Sequence, residues 1–337
     1  MNDSPPVLDI KGLRLQLPDT VRPVLDGVDL TIAAGETVAL VGESGSGKSL
    51  TSRSVLGLLP PGATTEGTVR VSGDDVLTMT PPRLRELRTG TAAMIFQDPR
   101  AAINPLRRIG DFLTESLRLN TGMRAENAGR RAAEMLAAEM LAAVGLSPDV
   151  LRRYPGQLSG GMLQRVMIAA ALMGDPALLL ADEATTALDV TTQAEVVALL
   201  GDLRERFGTG LLFVTHDLGL AATISDRVYV MYAGRIAETG PADALFDRPR
   251  HPYTAALLGA TPRLDAPQGR LAAIDGQPPD LRQELTGCPF APRCAYATDI
   301  CRDEAPADRP AGDEDGPPRH RVSCHHSERL EGKSGHE

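Results

Sequence analysis

A run of strand-forming residues, Glu36-Thr-Val-Ala-Leu-Val41, ends in Gly42-Glu-Ser-Gly-Ser-Gly-Lys-Ser49, and helix-forming residues follow to Leu59. No other segment limits the fold as strongly. Consecutive apolar β-formers need burial on both faces, the mark of an interior strand in a parallel sheet. The glycines allow backbone N–H groups to curl around an anion, and the following helix points its positive end at the same spot. Gly42-x4-Gly47-Lys48-Ser49 is therefore the phosphate-binding P-loop pattern in the setting its mechanism requires. Lys48 is expected to reach the β- and γ-phosphates of a nucleotide, and the Ser49 hydroxyl to sit on Mg²⁺. Glu43, Ser44, Gly45 and Ser46 complete the expected cradle.

Further strands are predicted at 7–17, Val28–Ile32, Ala92–Phe96, Ala177–Ala181, Leu211–Thr215 and Arg227–Tyr232, with helical stretches between most of them. The alternation predicts an α/β fold with a mainly parallel sheet. Between Asp98 and Leu158 the strand signal disappears and Ala, Arg, Leu and Met dominate, as in a helical insertion. There Ala132-Ala-Glu-Met-Leu136 is repeated as Ala137-Ala-Glu-Met-Leu141, and five extra residues turn a helix by about 500°. That fits a slipped duplication on an exposed helix, or a lengthened helix that alters a docking surface. From about Phe246 the chain is Pro-rich and carries all four cysteines; from Asp308 it is charged and poor in apolar residues.

At 337 residues the chain is long enough for about two domains. No apolar run approaches the ~18 residues of a membrane span, and the N-terminus has no basic start or apolar stretch of a secretory signal. A net charge of −9 with 3% aromatic residues argues against nucleic acid as a partner. A cytoplasmic protein is the expectation.

Two more segments bear chemistry. Leu178-Leu-Leu-Ala181 ends in Asp182-Glu183. Asp182 suits a role on Mg²⁺, and Glu183 that of general base toward an attacking water. Taken alone, the pair also reads as capping acids at a strand end. In Leu158-Ser-Gly-Gly-Met162, Ser159 is a good N-cap, and Gly160 and Gly161 leave N–H groups bare at the start of a long helix. This is a second anion site on one chain, which a head-to-tail dimer uses by setting one subunit's P-loop against its partner's Ser-Gly-Gly.

With these motifs in this order, residues 7–245 resemble the ATP-binding subunits of ABC transporters, whose signature motif Leu158-Ser-Gly-Gly-Met162 matches. The resemblance implies a P-loop NTPase (RecA-like) core with an antiparallel β-subdomain and a helical subdomain at about 98–158. It implies ATP and Mg²⁺ as cofactors. Gln97 matches the Q-loop glutamine, which senses nucleotide and Mg²⁺ and faces the permease. Thr186-Ala-Leu-Asp189 matches the D-loop at the dimer interface, and His216 the switch histidine at the γ-phosphate. One departure stands out: Leu17 occupies the place of the aromatic ring that stacks on adenine.

Cys288-x5-Cys294-x6-Cys301-x22-Cys324 is spaced more widely than zinc knuckles, and a cytosolic setting disfavours disulfides. Four thiolates on irregular loops suit an iron–sulfur cluster or zinc, with His320, His325 and His326 as substitute ligands, or remain free thiols. The segments His251-Pro-Tyr-Thr-Ala-Ala-Leu-Leu258, Gly276-Gln-Pro-Pro-Asp-Leu281 and Gly287-Cys-Pro-Phe-Ala-Pro-Arg-Cys294 resemble the C-terminal extension of oligopeptide/dipeptide importer ATPases. That resemblance implies a Cys-rich extension over 246–337 and a [4Fe–4S] cluster at the four cysteines. It also implies a second ATP-binding subunit, two transmembrane permeases and an extracytoplasmic peptide-binding protein, with this chain peripheral on the cytoplasmic face of the membrane. The alternatives are the same role in a nickel or metallophore importer, or a soluble, non-transport ABC ATPase.

Overall fold

The computed structural model describes residues 5–120, 127–186, 188–260, 274–311 and 320–330. They fall into two units. The first comprises residues up to Leu8, Ile32–Glu36 and Arg70–Val214; the second comprises Asp9–Thr31, Thr37–Val69 and the chain from Thr215 on.

The second unit is built around the strand Thr37–Val41, buried along its whole length. Each Val or Leu so buried contributes roughly 1.5–3 kcal/mol. It runs parallel to Arg227–Tyr232, with Val38 opposite Arg227 and Val41 opposite Val230. Arg227–Tyr232 forms an antiparallel hairpin with Arg235–Pro241. Its two turn residues, Ala233 and Gly234, both have positive φ (48° and 84°), as a tight hairpin with right-twisted strands requires. An irregularity between Ile236 and Glu238 shifts the register, and Glu238 is buried along with its neighbours Ala237, Thr239 and Gly240. The C-terminal extension adds to this edge: Arg321–Val322 pairs antiparallel with Glu238 and Thr239, and Arg309–Pro310 pairs with it in turn. Strands Leu25–Ile32, Leu8–Gln16 and Thr64–Val71 lie side by side in that order. The hydrogen bond from Val24 N–H to Leu15 O fits an antiparallel pairing of the first two, the expected β-subdomain.

The first unit holds three parallel strands, Ala92–Ile95, Leu178–Asp182 and Gly210–Thr215, in register Met94–Leu180–Leu212. Helix Gly160–Leu172 contacts the first of them and helix Val190–Phe207. The latter ends at Gly208, whose φ of 66° stops it. The expected helical stretch contains Ile109–Asn120 and Asn127–Ala143. In the duplicated sequence Ala133, Ala137, Met140 and Leu141 are buried, whereas Met135 is 65% exposed. The two copies thus play different parts: one helical stripe is buried, drawn unequally from each.

Among the described residues no helix is long and apolar enough to cross a membrane. The predicted helix to Leu59 is shorter than expected, Lys48–Ser54, because the chain reaches Gly57 at φ 62° and then Pro60-Pro61. Thr64–Val71 and Arg235–Pro241 are strands that the sequence pattern alone does not predict.

Candidate nucleotide site and cysteine module

In the second unit, the loop after Val41 is shaped by contacts that only glycine permits. A Cβ on Gly42 would lie 2.2 Å from Met231 O, and one on Gly47 would lie 2.7 Å from Leu25 Cδ2; their φ values are 149° and 109°. Lys48 is buried, and its Nζ donates to Gly42 O at 2.8 Å and Glu43 O at 2.9 Å. The Ser46 hydroxyl is buried without a hydrogen-bond partner. A buried ammonium and a buried, unsatisfied hydroxyl on the same glycine-rich loop fit a phosphate, which supplies the acceptor that Ser46 lacks. Ser44 and Gly45 are exposed at the rim, Ser49 opens helix Lys48–Ser54 in a half-buried position, and Leu17 lies half-buried just past strand Leu8–Gln16. His216 is exposed directly after Thr215, and Asp217 caps the next helix through Leu220 N at 3.1 Å.

In the first unit, Asp182 is buried at the end of its strand and Glu183 follows at φ 50°, a strained value for a residue with a side chain. Gln97 Nε2 donates to Glu183 Oε2 at 3.0 Å, and Thr186 Oγ1 lies 3.4 Å from the same oxygen. Ser159 caps helix Gly160–Leu172 by accepting from Met162 N at 3.3 Å. A Cβ on Gly161 would meet Thr192 Cγ2 at 2.7 Å, and Thr192 donates through N and Oγ1 to Asp189 at 3.0 and 2.8 Å. Those bonds hold the Asp189 carboxyl below its usual range. Gly161 therefore packs directly against the residue that orients Asp189. Ala187, within the same loop, lies outside the described residues.

Cys288, Cys294, Cys301 and Cys324 all line one cavity of about 20 Å³, together with His325 and His326. His326 N–H donates to Cys324 Sγ at 3.4 Å, and Thr298 Oγ1 bridges His326 Nε2 (2.7 Å) and Cys301 Sγ (3.7 Å). Burial pushes the Cys288 and Cys294 thiols up, and Cys324 up to about 11. The four thiols are unbridged, and among the described residues no group of three or more His, Cys, Asp or Glu forms a metal site. Four thiols on one cavity are a donor set whose chemistry suits a thiolate-bound metal group. His320 is removed from the expected ligand reserve: its Nε2 lies 2.7 Å from Glu238 Oε1.

Glu238 also accepts from Arg250 N at 2.7 Å and His251 N at 2.9 Å, and its side chain is inaccessible to solvent. Burial lowers the His251 pKa to about 4, against the opposing pull of Glu238, and its Nδ1 accepts from Tyr253 N at 3.0 Å. Folded His251 thus refuses a proton that the unfolded chain takes up below about pH 6.5. The stability it contributes is complete above pH 6.5 and is lost toward pH 4, by about 3 kcal/mol. Urea midpoints between pH 7.5 and 5 are expected to fall more steeply in the wild-type chain than in His251→Gln; parallel curves contradict this.

Arg293 and Tyr253 lie within the two segments that resemble the importer extension, but their contacts with Glu43 of the P-loop are invisible to a reading of one sequence. Around them scarce aromatic residues concentrate: Tyr232, Tyr253 and Phe290 have ring centroids 4.6–5.3 Å apart.

Comparison with known proteins agrees with the geometry. Residues 25–186 match the family described as ABC transporter, and residues 237–301 match the oligopeptide/dipeptide transporter C-terminal region. A bacterial ABC transporter cassette solved as a dimer, MJ0796, superposes with a TM-score of 0.61 at 28% identity, covering 70% of this chain and 98% of that one. The same cassette is known in a post-hydrolysis dimer with ADP and Pi at the same score, identity and coverage. The fold and loop thus define an ABC-type ATPase. The oligopeptide transport ATP-binding protein OppD of Haemophilus influenzae is 43% identical over 88% of this chain and 92% of its own length. The dipeptide transport ATP-binding protein DppD of Bacillus subtilis is 43% identical over 88% of each. The chain belongs to this family of oligopeptide/dipeptide transport ATP-binding proteins.

Proposed function

We propose that this chain binds and hydrolyses ATP to drive import of di- or oligopeptides through a separate membrane permease. The single observation that carries the peptide assignment is the match of residues 237–301 to the oligopeptide/dipeptide C-terminal region, joined to an ATPase cassette. Residues 7–245 form the ATPase domain and 246–337 the extension. Lys48 and the loop from Gly42 to Ser49 hold the phosphates, with Leu17 against the base. Ser49, Gln97 and Asp182 take up Mg²⁺, which neutralises phosphate charge when bound. Glu183 accepts the proton of the attacking water and His216 contacts the γ-phosphate. Ser159, Gly160, Gly161 and Asp189 act across a dimer with a second ATP-binding subunit, identical or related. Two permeases and an extracytoplasmic peptide-binding protein complete the importer, placing this chain on the cytoplasmic face of the membrane.

Gentle purification of the complex from native membranes, followed by mass spectrometry, tests this. Co-purifying permeases and peptides on the binding protein are the expected result. A nickel ion or metallophore there supports the alternative cargo instead, and recovery without any membrane partner removes the transport role.

The four cysteines are assigned to a [4Fe–4S] cluster with a structural role, zinc being the alternative. Their convergence on one cavity supports this. Protein purified without oxygen is expected to hold iron and acid-labile sulfide, both lost in Cys301→Ser, with melting several degrees lower. Zinc without sulfide selects the alternative, and protein free of either metal removes the assignment.

A further inference from the structure

The cysteine module reaches into the phosphate-binding loop through one buried side chain. Arg293 lies between Cys288 and Cys294, at the end of the short turn Ala291–Arg293, and its side chain is 4% exposed. Its guanidinium forms a two-pronged pair with Glu43, the second residue of the loop: Nη1 to Oε2 at 2.7 Å and Nη2 to Oε1 at 2.9 Å. The remaining N–H groups are all used, Nη1 to Tyr232 OH at 3.2 Å, Nη2 to Ile274 O at 3.0 Å and Nε to Asp275 O at 2.9 Å. The Arg293 Cζ also lies 5.7 and 5.9 Å from the ring centroids of Tyr232 and Phe290. The backbone of Glu43 is held as well. Its N–H donates to Tyr253 OH at 2.8 Å, and its carbonyl accepts from Lys48 Nζ at 2.9 Å and Ser46 N at 3.2 Å.

Mere attachment of the extension does not require this contact. Arg321–Val322 already joins the extension to the sheet edge, and Phe290 packs into the core with Tyr232 and Tyr253. What Arg293 and Tyr253 add is restraint on Glu43 from both side chain and backbone. A phosphate cradle made of backbone N–H groups binds well only if those groups are fixed in advance, because ordering them on binding subtracts from affinity. Arginine is well shaped for such a restraint, since its planar fork meets a carboxylate with two bonds and keeps three donors for neighbours, which lysine cannot do.

We propose that Arg293, assisted by Tyr253, is a positioning residue of the ATP site, fixing Glu43 so that the P-loop is preset for phosphate. The inference rests on the nucleotide reading above and adds that the cysteine-rich extension is part of the ATP site.

The test is steady-state ATPase kinetics of the full chain assembled with its permease, for wild type, Arg293→Gln, Arg293→Lys, Glu43→Gln, the double variant Arg293→Gln/Glu43→Gln, and Tyr253→Phe. Arg293→Gln and Glu43→Gln are each expected to raise the KM for ATP about tenfold with kcat within about twofold. The double variant should be no worse than either single one, because both remove the same restraint. Arg293→Lys falls between, and Tyr253→Phe, which deletes one hydroxyl, raises KM about threefold. Wild-type KM in Arg293→Gln and Tyr253→Phe, with both folded at the assay temperature, overturns the proposal. So does a double variant whose KM is the product of the single effects. A wild-type complex with no saturable ATP turnover fails earlier and removes the ATPase reading itself.

Discussion

Glu183→Gln is expected to lower ATP turnover by about 10²–10⁴-fold while ATP stays bound. The substitution keeps the size of the side chain and removes its capacity to take a proton. In the wild-type chain Gln97 Nε2 donates to Glu183 Oε2 at 3.0 Å, and the Glu183 backbone sits at φ 50° just past the strand end. Strain of this kind costs of order 1–3 kcal/mol and persists where function demands it. Asp182, the preceding residue, is buried at the strand end. The variant is therefore expected to accumulate as an ATP-bound dimer, visible as a shift in elution volume on size-exclusion chromatography with ATP. Turnover within about tenfold of wild type removes Glu183 from the role of base.

Glu238→Ala carries the largest expected cost in stability, about 3 kcal/mol, or a fall in Tm of roughly 6–12 °C. Three donors converge on this buried carboxylate: the N–H groups of Arg250 and His251, and His320 Nε2. Alanine leaves them without an acceptor and opens a hole between the sheet edge and the start of helix Pro252–Gly259. Glu238→Gln preserves the shape and one acceptor oxygen, so a loss of less than half is expected. Differential scanning calorimetry of both variants decides this; equal melting of Glu238→Ala and wild type shows that water replaces the carboxylate at no cost.

The elements most legible in the sequence are those whose whole pattern is local. The strand ending at Val41 and its glycine loop need only their own residues to be recognised, because double-sided burial and positive φ leave marks in composition. Arg227–Tyr232 falls on its predicted bounds for the same reason. Thr64–Val71 does not, since most of its residues are polar or glycine and its place is set by pairing. Arg235–Pro241 is hidden by a turn, Ala233-Gly234, that lacks the usual Asn-Gly or Asp-Gly signal. Gln97 and Glu183 lie 86 positions apart, and their approach to 3.0 Å could be expected only from the family resemblance. Arg293 and Glu43 are 250 positions apart, and although each lies in a recognisable segment, neither segment points to the other. Their pairing depends on the fold of the extension, which local propensity does not encode.

The measurement that bears most directly on the central claim is peptide uptake into proteoliposomes. The complex of this chain, its partner ATPase and both permeases would be reconstituted with the binding protein. Radiolabelled di- and oligopeptides would be supplied on the side of the binding protein, and ATP on the side of this chain. The account predicts uptake that requires ATP, is stimulated by the binding protein and is abolished by Glu183→Gln. Uptake indifferent to ATP or to that substitution, or movement of a metal chelate with no peptide transported, contradicts it.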